Sequence, residues 1–100
     1  MIRHIVMWKI KENVEGRSKL EDAKIVKKAL EDLKNDIKEI ISIEVGIIVV
    51  EGEGAYDIVL NAEYASLEDL VTYQKHPAHV EVVKNISQYL EPKVFVDYEF

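Results

Sequence analysis

The stretch ISIEVGIIVVEGEGAYDIVLNAEY, residues 41–64, decides how this chain folds. From Ile43 to Val50 nearly every residue is apolar and most are β-branched, with Ile43, Val45, Ile47 and Val49 on one side and Ile48 and Val50 on the other. That composition predicts a strand covered on both faces. Glu51-Gly52-Glu53-Gly54 then supplies a turn, and Tyr56 to Tyr64 reads as the hairpin partner.

Outward from this hairpin the two flanks carry the same strand and helix rhythm. On the N-terminal side, Ile2 to Ile10 alternates His4, Val6, Trp8 and Ile10 with Arg3, Ile5, Met7 and Lys9, the period of two expected for a strand. The chain turns near Gly16, and Ser18 followed by Glu21 has the spacing of a capping box. Val26, Leu30, Leu33, Ile37 and Ile40 recur at intervals of four and three, which predicts one amphipathic helix over 19–40. On the C-terminal side, Ser66 and Asp69 begin a second helix through Leu67, Leu70, Val71 and Tyr73. It must break at His76-Pro77, because proline disfavours helical backbone in the residue before it. With Pro77 as first residue, a further helix continues through Val80, Val83, Ile86 and Leu90 until Pro92. Residues 93–100 form the last strand, Val94, Val96, Tyr98 and Phe100 alternating with Phe95, Asp97 and Glu99. The order is βαββαβ, an α+β domain over residues 1–100 with a four-stranded antiparallel sheet and helices on one face.

Two helices cover one face of such a sheet, yet strands one, two and four read as apolar on both. Nothing else in the sequence encodes a third layer. A patch of that size exceeds what monomers usually expose, so the reading is a homodimer, sheet facing sheet about a two-fold axis. The net charge of −6, with lysines interleaved among acids, argues against nucleic acid as a partner. The first ten residues are too short and too charged for a membrane span or a signal peptide. The lack of cysteine excludes disulfides and thiolate chemistry and accords with a cytoplasmic setting.

The opening IRHIVMWKIKE, the segment YASLEDLVTYQKHPAHVEVVK and the ending VFVDYEF occur in order along the full chain. Together they resemble the stress-responsive A/B barrel (Dabb) family. The resemblance implies a dimeric α+β barrel of ferredoxin-like protomers.

Chemistry is expected from a small set of residues. His4 shares a strand face with Val6 and Trp8, placed by the dimer argument on an apolar cavity between the two sheets, where all three would contact a small apolar or aromatic ligand. A buried histidine satisfied by a backbone or tyrosine partner is the alternative. Tyr73 and His76 are three residues apart and share a helix face, so His76 is expected to contact the same ligand. His79 follows Pro77 at the positive end of a helix, which disfavours imidazolium and suits a base near neutral pH. The alternative for the HPAH element is a helix break packed by its own histidines. No acid falls at an obvious ligand spacing on the cavity face, so neither a metal nor a cofactor is expected.

In plant polyketide cyclases of the resembled family, the second His of HPxH and the upstream helix Tyr catalyse an aldol-type ring closure. The resemblance carries those roles to His79 and Tyr73, and matches His4 to the family's strand-one His. The first helix departs from the cyclases, presenting Val26, Leu30 and Leu33 and no aromatic residue. Three functions follow: a small-molecule-binding dimer without turnover; a cofactor-free lyase, cyclase or isomerase with His79 as base and Tyr73 as hydroxyl donor; and a heme-degrading or monooxygenase role, as in other dimeric α+β barrels.

Overall fold

A computed structural model describes residues 1–12 and 15–100. Its strands are β1 (Ile2–Trp8), β2 (Ser42–Ile47), β3 (Ile58–Tyr64) and β4 (Val94–Glu99), and its helices are α1 (Lys19–Glu31), α2 (Leu67–Lys75) and α3 (Pro77–Ile86). The four strands form one antiparallel sheet in the order β2-β3-β1-β4. The arrangement is ferredoxin-like, with the helices packed on one face. Among the described residues, no helix is long and apolar enough to cross a membrane.

Each helix starts where a side chain satisfies a backbone donor that the helix leaves free. Ser18 Oγ accepts from the Glu21 N–H at 3.1 Å and Ser66 Oγ from the Asp69 N–H at 3.1 Å. His76 takes extended backbone ahead of Pro77 and caps α3, its Nδ1 accepting from the Ala78 N–H at 3.0 Å. The expected helix over 19–40 stops at Glu31 and tightens into a 3₁₀ turn over Asp32–Asn35. Ile37 and Ile40 are nonetheless buried at 0% and 2% exposure, because a tight turn presents the same three-residue spacing to the core.

The hairpin is shorter than expected as well. β2 ends at Ile47, leaving Val49 and Val50 at 94% and 73% exposure, and β3 begins at Ile58. Asp57 explains the late start: its carboxylate accepts from the Ile10 N–H at 2.7 Å and its own N–H donates to the Trp8 carbonyl. Ile10 lies past the end of β1 and bridges to Leu90.

Alternation sorts the sheet into a covered and an open face. Ile2, His4 and Val6 of β1, Val45 of β2 and Ile58, Leu60, Ala62 and Tyr64 of β3 are buried against Val26, Leu30 and Leu70 of the helices and Leu33 of the turn. The expectation that His4, Val6 and Trp8 point between two sheets is therefore corrected: they lie on the helix-covered face of their own protomer. The cross-strand register gives the open face Arg3, Ile5 and Met7 beside Tyr98, Val96 and Val94. β2 contributes Ser42, Glu44 and Gly46 there, so its open side is less apolar than expected.

β2 is also an edge strand, and α1 guards it. Glu31 Oε2 accepts from the Val45 N–H at 2.9 Å, while Lys27 Nζ binds Glu31 at 2.8 Å and donates to the Val45 carbonyl.

Candidate functional site

Between the covered face of the sheet and α3 lies a cavity of about 520 Å³. Val6, Trp8 and Leu60 supply its sheet wall, Leu30 of α1 and Val83 of α3 its helix walls, and His4, Tyr73 and His79 its principal polar groups, while Lys11, Glu91 and Lys93 stand along its lining. Five of the six site residues expected from sequence thus border one cavity. His76 does not, being committed to the α3 cap.

The three polar residues belong to a connected aromatic group. The Tyr73 ring lies 4.4 Å from that of His79, 6.3 Å from His4 and 5.1 Å from Tyr64, centre to centre. Tyr64 is wholly buried, and its hydroxyl acts on that of Tyr73, opposing the rise that burial gives the Tyr73 phenol. Tyr73 is 1% exposed, and burial pushes its phenol up to about 12. It stays protonated near neutrality, so its O–H is a donor for an oxygen that gains negative charge.

His79 is held in one tautomer. Its Nδ1 lies 3.0 Å from the Gln74 carbonyl, a pure acceptor, so Nδ1 carries the hydrogen and Nε2 keeps the free lone pair. Burial lowers the pKa of His79, Lys93, His4 and His76 add to the effect, and the Gln74 carbonyl opposes it. The direction is the one anticipated from the helix terminus; the leading cause is desolvation. A neutral imidazole with Nε2 available, next to a protonated phenol, can take a proton from carbon or oxygen while the phenol steadies the oxyanion left behind.

Asp97 is the member of this group that the sequence did not reveal. Paired in register with His4 across β1 and β4, its Oδ1 accepts a hydrogen bond from His4 Nδ1. His4 is 5% exposed, and the contact orients its ring next to Tyr73. An acid does therefore reach the cavity side of the sheet. The available signal was an acid among the apolar residues of the last strand; its partner depends on register, which alternation alone leaves open.

Three solved structures illustrate what the chain is similar to. A dimeric protein of unknown function with a ferredoxin-like fold from Bacteroides fragilis is 36% identical, with 99% of this chain and 95% of that one covered and a TM-score of 0.87. A dimeric ferredoxin-like protein of unknown function from Thermobifida fusca is 25% identical, with 99% and 90% covered and a TM-score of 0.81. The hydroxynitrile lyase of Passiflora edulis shares the fold at 17% identity, 97% and 90% coverage and a TM-score of 0.80. The sequence has no match among curated proteins. Residues 2–100 match the stress responsive A/B barrel domain, and the chain belongs to that family.

Proposed function

We propose that the protein is a homodimer in which each protomer binds a small, largely apolar organic molecule in the cavity beside Tyr73 and His79. The observation that carries this reading is the convergence of a protonated phenol and a neutral imidazole on an apolar space of about 520 Å³, a volume suited to a small ligand. The dimer is supported by the apolar open face and by the dimeric relatives from Bacteroides fragilis and Thermobifida fusca.

Trp8 is the sole tryptophan and lines the cavity, so its fluorescence reports occupancy. Titration with 4-phenylbutan-2-one, a ketone with an apolar body, is expected to change that emission saturably. Tyr73→Phe and His79→Ala should each weaken the affinity about tenfold, equivalent to ~1.4 kcal/mol. Unchanged affinity in both variants removes these two groups from the site.

A second reading, turnover by a cofactor-free lyase, cyclase or isomerase, is favoured by the fixed tautomer of His79. Nε2 would take an α-proton and the Tyr73 O–H would bind the enolate oxygen. In D2O the α-protons of 4-phenylbutan-2-one should then wash out faster with wild type than with His79→Ala. Equal rates leave binding without proton transfer.

A further inference from the structure

β4 does two jobs with its two faces. On the open side it presents Val94, Val96 and Tyr98, which are 39%, 51% and 41% exposed. On the covered side its Asp97 holds His4. The strand is an edge of the sheet, hydrogen-bonded to β1, and β1 is also the element it chiefly packs against. No helix seats it: Phe95, on the covered side, is 61% exposed. From the open side Arg3 ties it down, its guanidinium 3.3 Å from the Tyr98 hydroxyl, 4.1 Å from the centre of the Phe100 ring and 3.6 Å from Glu63. That tie is solvent-facing, and such contacts hold weakly.

We infer that a second copy of the chain, docked on the open face, completes the ligand site from behind by pressing β4 onto β1 and so keeping Asp97 on His4. The occupant is a second copy because the patch continues across Ile5 and Met7 of β1 into a shallow apolar concavity of about 400 Å³ bordered by Met7, Gly46, Ile48 and Val59, and a full-length relative at 36% identity is dimeric. Asp97 is a positioning residue here: it fixes the hydrogen of His4 on Nδ1 and leaves Nε2 for the aromatic group around Tyr73. The inference rests on the dimer reading above, but not on any ligand being found.

The test follows the His4 Nδ1 proton by NMR, since a ring proton held in a part-buried hydrogen bond to a carboxylate is protected from exchange and shifts downfield. Wild type should give twice the 11.5 kDa chain mass by light scattering and show this resonance. Asp97→Asn should lose the resonance and remain a dimer. Val96→Glu places a charge that water solvates in a lone protomer but not in a dimer, so it should give a folded monomer that lacks the resonance. If that variant does not fold, wild type diluted until light scattering reports half the mass gives the same comparison. A folded monomer, from either route, that retains the resonance overturns the coupling; a wild type that is monomeric at micromolar concentration removes the dimer reading itself. Loss of 4-phenylbutan-2-one binding alone, with the resonance and mass behaviour intact, bears on the function proposed above and not on this coupling.

Discussion

At the scale of single residues, chemistry and packing use neighbouring tyrosines differently. Tyr64 and Tyr73 are both buried, but only Tyr73 borders the cavity. His79 predicts a pH dependence. Its pKa is lowered in the folded state, so the unfolded chain takes up a proton first as pH falls below about 6.5, and stability declines through that range down to the folded value. NMR titration of the ring together with melts at several pH values checks this; a folded pKa above 6.5 reverses the sign and turns His79 from base to acid. That His4, Val6 and Trp8 share a face was legible from alternation, although the dimer argument put that face between two sheets, and Tyr73 and His79 were legible as flanking a proline-marked break. Asp97 was not, because strand register joins residues far apart in the chain, and the cap that His76 makes was not, because a cap and a ligand contact leave the same residue before a proline.

Elements were legible where local chemistry marks their ends. Both serine caps and the break at Pro77 stand where the sequence placed them. Boundaries slipped where tertiary hydrogen bonds overrode propensity, as at Asp57, or where turn and helix share a spacing, as from Leu33 to Ile40. The α3 cap yields its own prediction. His76→Ala should destabilise by about 1 kcal/mol through loss of the bond to the Ala78 N–H, while His76→Asn, a good capping residue, should restore most of it. Neither change should alter the response of Trp8 to 4-phenylbutan-2-one; an altered response would bring His76 back to the cavity.

For the whole molecule, the sequence reading put the face of His4, Val6 and Trp8 between two sheets, because alternation separates the two faces without marking which one the helices take. The structure decides it, and the two faces respond oppositely to the same change. Val6 is 3% exposed and Val96 is 51% exposed. Val6→Asp buries a carboxylate in the protomer core and should unfold a domain whose total stability is about 5–15 kcal/mol. Val96→Asp should leave circular dichroism intact and halve the mass seen by light scattering. Faces are one way for chains to meet, and edges are another. The bond from Glu31 to the Val45 N–H, with Lys27 on the Val45 carbonyl, occupies the middle of the β2 rim, where an incoming strand would otherwise find a free donor and acceptor. Polymers that grow by adding strands rim to rim need two open ends, and this latch shuts one of them. Glu31→Ala together with Lys27→Ala should therefore shorten the lag before thioflavin-positive fibrils form under mild heating, and an unchanged lag would show that the latch does not guard this rim.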